Sequence, residues 1–262
     1  MIKLKSAREL ELMVHGGKIL AATLDTLRQA VRPGLSTLDL DRVAEEFIRG
    51  HEGATPAFKG LYGFPGSICS SINEEIVHGI PSKKRVLEEG DIVSLDVGVG
   101  YRGLFTDSAI TVPVGAVDAE TQRLLDVTQA SLEAGIAAVQ AGNQVGDIGA
   151  AVQAVVEAAG YGVVRELVGH GVGAAMHEDP QVPNFGKPHR GTKLMPGLTI
   201  AIEPMVNVGG YAVKTLSDGW TIVTADGSRS AHFEHTVAVT ETGPLVLTRG
   251  SRGAPAVDVS AP

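Results

Sequence analysis

The sequence predicts an α+β domain in which a helix-helix-strand-strand unit occurs twice, the two copies sharing a sheet and a cleft. Three observations predict it. Four stretches with helical apolar spacing fall in two pairs, β-rich sequence follows each pair, and two blocks of letters repeat at nearly one offset. "AVRPGLSTLDL" at 30–40 lies over "AVQAGNQVGDI" at 138–148, and "LEEGDIVSLDVG" at 87–98 lies over "LMPGLTIAIEPM" at 194–205. Either block alone would not exceed chance similarity of short apolar segments; together they favour duplication.

The first helix is expected from Ser6 to Val31, because Ser6 and Glu9 have the spacing of a capping box. The second, "TLDLDRVAEEFIRG", begins after the Pro33-Gly34 break. In "DIVSLDVGVGYRGLFTDSAITV", 91–112, two β runs flank "GYRG" and form a hairpin. A turn centred between Tyr101 and Arg102 would put Asp96 directly opposite Asp107. The third helix spans about Ala119 to Val139, and the fourth, "VGDIGAAVQAVVEAAG", follows Gly142. Domain limits of 1–249 follow, with halves of about 6–112 and 119–248; 250–262, small and Pro-containing, is expected to be a flexible tail.

Composition narrows the function. The net charge is −8 and no Lys/Arg block stands out, which argues against reading nucleic acid or an anionic membrane. No apolar run approaches the roughly 18 residues of a membrane span. Charges at Arg8, Glu9 and Glu11 interrupt any export signal, and the single cysteine, Cys69, fits a reducing compartment. A soluble cytoplasmic protein is expected.

The chemistry lies in acids that align. Asp96 sits over Glu203 in the second repeated block, each at the end of an apolar strand, "IVSL" and "TIAI". Like charges opposed across a hairpin destabilise a sheet unless something neutralises them, and a divalent cation would. After a long excursion Glu234 opens "HTVAVT" as Asp107 opens "SAITV". "LVGHGVGAAMHEDPQ", 167–181, adds two histidines among glycines, His170 and His177. Asp96, Asp107, His170, Glu203 and Glu234 are hard ligands suited to two divalent metals bridged by carboxylate and water. His15, His51 and His189 match no motif and are simplest as solvated groups. His232 and His235, flanking Glu234, are packing groups or supports for the ligands.

These motifs, with "SINEEIVHGIP", "TIAIEPM", "DGWT" and "FEHTVAVT", make the chain resemble the type I methionine aminopeptidases from Ser6 to about Thr248. With nothing ahead of residue 1, the short bacterial form is the expectation. The resemblance implies the pita-bread fold, with helices outside a curved antiparallel sheet. It implies that Asp96 chelates one metal, that Asp107 and Glu234 bridge both, and that His170 and Glu203 complete the second. Co, Mn, Fe and Zn are all compatible with that ligand set. Glu203 would act as general base, and His78 and His177 would contact the substrate and stabilise the tetrahedral intermediate. Phe58, Leu61, Phe64, Cys69, His78, Met176, His177 and Trp220 would bind the substrate. Many relatives have tyrosines where Leu61 and Phe64 stand. The implied substrate is the initiator methionine of nascent polypeptides with a small second residue, met by a monomer, with ribosome contact a further partner to test. The rival expectations are a proline-directed aminopeptidase or dipeptidase of the same fold, and a non-catalytic binding protein.

Overall fold

The computed structural model describes residues 2–250, so the expected tail lies outside the described residues beyond Gly250. The first half runs α1 (Ala7–Ala30), α2 (Thr37–Arg49), β1 (Ala54–Pro56), β2 (Ile68–Ile72), β3 (Glu75–Val77), β4 (Ile92–Tyr101) and β5 (Leu104–Pro113). The second opens with α3 (Ala119–Ala137) and α4 (Val145–Ala158). It continues through β6 (Gly162–Val163), β7 (Gly169–Gly171), β8 (Glu178–Val182), β9 (Thr199–Ile202) and β10 (Met205–Asn207). Then come β11 (Val213–Thr215), β12 (Ile222–Thr224), β13 (Ser230–His232), β14 (His235–Thr240) and β15 (Gly243–Val246).

The duplication is visible in the backbone. Ser6 caps α1 in a box with Glu9, as its spacing predicts. Ser36 caps α2 with Asp39, and at the matching place, 108 positions on (36 to 144), Gln144 starts α4 with Asp147 as its partner. Ser36 bridges Val86, and Gln144 bridges Lys193 in the same way. β4 lies between β2 and β5 in one half, and β9 lies between β7 and β14 in the other. All these pairings are antiparallel.

Strand period 2 separates core from site. Val93, Leu95, Val97 and Val99 of β4 join Leu20, Leu24 and Leu27 of α1 and Leu40, Ala44 and Ile48 of α2 in the main core. The alternate residues Ser94, Asp96 and Gly98 face the other way. The sheets of the two halves meet at β5 and β14. Glu234 N–H donates to the Ala109 carbonyl at 2.9 Å. Thr236 Oγ1 accepts from Asp107 N–H at 2.9 Å and donates to the Asp107 carbonyl at 2.8 Å. One curved inner surface results, carrying side chains from both halves.

The hairpin corrects one expectation. Asp96 pairs with Ala109, and Asp107 pairs with Gly98, so the two acids are diagonal neighbours. The turn is centred one residue later, on Arg102 (φ 49°) and Gly103 (φ 87°). Two residues with positive φ match the twist of the flanking strands, and Gly at the second place makes that conformation cheap. Tyr101 is thus a buried strand residue rather than part of the turn. The register moves by two, an even number, so both acids keep the same face.

Candidate metal centre and substrate cavity

Asp96 and Asp107 come from the β4–β5 hairpin, His170 from the middle of β7, Glu203 from the residue after β9, and Glu234 from the residue before β14. Five residues from four places in the chain thus converge on the inner face. His170 Nε2 lies 3.5 Å from Glu203 Oε1 and 3.8 Å from Asp107 Oδ2. One ligand atom each from Asp107, His170 and Glu234 lie within 4.8 Å of one another. The glycines around His170 permit this approach. A Cβ on Gly171 would stand 2.2 Å from the Asp179 carbonyl oxygen, and one on Gly169 would stand 2.3 Å from that of Ala201.

The electrostatics are those of a site short of positive charge. Burial pushes the Asp96 carboxyl up to about 7. Asp107 is held well above the carboxylate range by burial first and then by the charges of Asp96 and Glu203. Glu203 is raised by burial and Asp96, and Glu234 by burial and then Asp107, Glu203 and Asp96. His170 is lowered to about 4, mainly by burial, so it is neutral at pH 7. Its Nδ1 lies 2.9 Å from the Gly171 carbonyl oxygen, which can only accept. The proton therefore sits on Nδ1, and Nε2 turns a bare lone pair toward the carboxylate oxygens.

That arrangement tests whether metal fits. Asp96 Oδ1, Asp107 Oδ1 and Glu234 Oε1 are buried without a hydrogen-bond partner. Once ionised, such a cluster of carboxylates facing an imidazole lone pair has no donor to share and is satisfied by a divalent cation. The His170 Nδ1–H bond to a carbonyl also fixes the tautomer and ring orientation that a ligand needs. The residues fit a metal.

The acids open on a cavity of ≈290 Å³. Of the expected substrate residues, Phe58, Leu61, Phe64, Cys69, His78, His177 and Trp220 line it. Met176 does not; it is buried behind the wall, packed with Phe58, Phe64 and Cys69. Phe64 and Trp220 meet edge-on with centroids 5.1 Å apart. The His177 ring stands 4.5 Å from that of His170 and stacks on Tyr62 at 5.8 Å. Burial lowers both His78 and His177, with His177 adding to the effect on His78. His78 is held at φ 60°, an uncommon conformation for a residue with a side chain.

Sequence reasoning missed Tyr62, Val77, Leu167, Val168 and Met205, all lining the cavity. Each adjoins or lies close to a residue already singled out, and proximity in sequence was the available signal. His232 was read as packing or support. It is fully buried, both ring nitrogens lack a partner, and Nε2 is 3.8 Å from Glu203 Oε2.

The model of metallopeptidase family M24 matches residues 11–241. A methionine aminopeptidase of Clostridium perfringens is 54% identical over 248 residues, which cover 95% of this chain and 99% of that protein. The crystal structure of methionine aminopeptidase from Thermotoga maritima superposes with a TM-score of 0.93 at 45% identity, covering 95% of this chain and 100% of that one. Prolidase from Pyrococcus furiosus shares the fold alone, with 21% identity and a TM-score of 0.78.

Proposed function

The chain belongs to metallopeptidase family M24, and from that premise we propose that it is a methionyl aminopeptidase. It removes N-terminal methionine from peptides and nascent polypeptides, preferring a small second residue. One observation carries this reading: a single cavity has aromatic and apolar walls and also carries buried, unpartnered acceptors together with a neutral imidazole. A linear thioether fits the apolar part, its sulfur against the rings of Phe58, Phe64 and Trp220.

In this reading the site takes two divalent ions, Mn, Fe, Co or Zn. Asp96 would hold one, His170 and Glu203 would hold the other, and Asp107 and Glu234 would serve both. Such ions polarise a carbonyl and lower the pKa of water to near neutrality. The protein's own groups do the rest. The Glu203 carboxylate accepts the proton of the attacking water. His78 and His177, kept neutral by burial, donate N–H to the carbonyl oxygen as charge develops on it. The hydrophobic wall excludes solvent and fixes the methionine side chain, which sets the scissile bond. The histidine side is crowded by Tyr62, which limits the second residue. Among the described residues no helix is long and apolar enough to cross a membrane. Action in the cytoplasm fits the single cysteine.

The test is chelated protein reloaded with each metal in turn and assayed on Met-Ala, Met-Lys and Pro-initiated peptides. Methionine release from Met-Ala, only with metal present, is expected. Cleavage of Pro-initiated peptides with Met-Ala intact would make it a proline-directed enzyme. Metal binding without cleavage of any peptide would make it a binding protein.

A further inference from the structure

His177 has little to hold it. Its ring touches the rings of His170 and Tyr62, and the hydrogen bond its ring makes among the described residues, between Nδ1 and the Tyr62 hydroxyl, is 3.5 Å long. The backbone of the turn between β7 and β8 must therefore place it. That turn is fastened from an unexpected direction. Lys5, in the segment ahead of α1, sends its ammonium to Glu178 Oε2 at 2.6 Å, and the two side chains are 3% and 8% exposed. Glu178 is the residue after His177, and its other oxygen accepts the Ala175 N–H at 3.0 Å. The Lys5 stem runs over Gly173, where a Cβ would stand 2.0 Å from Lys5 Cε. Gly173 in turn accepts Phe105 N–H at 2.8 Å, tying the turn to β5, the strand of Asp107. Lys5 is itself fixed by its backbone N–H, which donates to the Gly197 carbonyl at 2.7 Å, just ahead of β9.

A buried ion pair is a poor source of net stability, because desolvating both charges offsets most of their attraction. Its use is to disfavour other geometries: with Lys5 in place, an arrangement of the turn that parts the pair leaves a buried charge unpaired. We propose that Lys5, through Glu178, is a positioning residue that sets His177 against the reacting carbonyl. This rests on the aminopeptidase reading above, and a misplacement of about 1 Å at such a group costs on the order of 10²-fold in rate.

The experiment compares Lys5→Met, Glu178→Gln, Gly173→Ala and the double variant Lys5→Met/Glu178→Gln with the parent. The double variant leaves no unpaired buried charge and keeps the test open if a single variant folds poorly. The first readout needs no activity: the His177 imidazole signal in NMR spectra of the metal-free, ¹³C-histidine-labelled protein. It should shift or broaden in every variant, and by more than that of His78, which feels His177 only through its charge. With metal, kcat on Met-Ala should fall by roughly 10- to 100-fold and KM much less, with metal affinity by calorimetry close to that of the parent. The double variant should be no worse than the worse single one, because both remove one interaction. An unmoved His177 signal with unchanged kcat would overturn the proposal, and so would a parallel loss of metal affinity, which marks general loosening. A parent inactive on Met-Ala would defeat the aminopeptidase reading instead, and the NMR comparison would still decide whether Lys5 positions His177.

Discussion

Removing a charge from the metal-free centre should stabilise the protein, and Asp96 gives the clearest magnitude. Burial pushes its carboxyl from 3.8 up to about 7. Below the ordinary carboxylate range the group is neutral in both folded and unfolded chains and costs nothing. As pH rises, the unfolded chain ionises first, so native stability falls until the folded group ionises as well, near 7. A shift of about three units at roughly 1.4 kcal/mol each puts the cost at neutral pH at about 4 kcal/mol. Water entry and relaxation reduce that to about 2–4 kcal/mol. Asp96→Asn keeps the shape, removes the charge, and adds an amide donor beside the neighbouring carboxyl oxygens. In chelator at about pH 7.5 the variant should melt higher, by about 4–16 °C at roughly 2–4 °C per kcal/mol for a domain of this size. At about pH 5 the gain should drop to less than half, because the folded carboxyl is then already protonated. Adding Mn²⁺ should reverse the order, since binding to the native state stabilises the parent more than the variant. Circular-dichroism melts at both pH values, with and without metal, provide the measurement. A variant that melts lower than the parent in chelator at the higher pH, or a gap that does not change with pH, would refute the reasoning.

Three other outcomes follow from the same geometry. His170→Ala should weaken metal binding in calorimetric titrations, whereas His177→Ala and His78→Ala should keep metal and lose about 10²–10³ in rate; equal metal loss in all three would remove the division of roles. Trp220→Ala should raise KM for methionyl peptides with metal occupancy unchanged, because the ring touches Phe64 in the apolar wall rather than the acids. Methionine should be preferred over leucine by only about 1–3 kcal/mol, as shape in a hydrophobic pocket allows, and competition between the two peptides would show a larger gap if a polar contact to sulfur were involved.

The sequence by itself determined the repeat, the four helices with the cap of the first, and which acids and histidine are candidates for the centre. These are legible because they rest on local rules: period 3.6 for helices, period 2 for strands, and cap residues at fixed spacing. Period 2 is also why Asp96 and Asp107 were placed on one face although their register was wrong. An even slip leaves parity intact, while the register itself depends on positive φ at Arg102, a residue whose type does not announce it. Tertiary structure alone decided the rest. The resemblance puts Met176 in the pocket, yet the folded chain buries it in a cluster with Phe58, Phe64 and Cys69, away from the cavity lining. Tyr62 reaches the cavity from a short 3₁₀ turn with no periodic signal. His232 comes within reach of Glu203 through the pairing of β10 with β13. Lys5 and Glu178 are 173 positions apart in the chain, and no local rule connects them. Their meeting depends on how two distant segments share one buried volume, and only the folded chain fixes that.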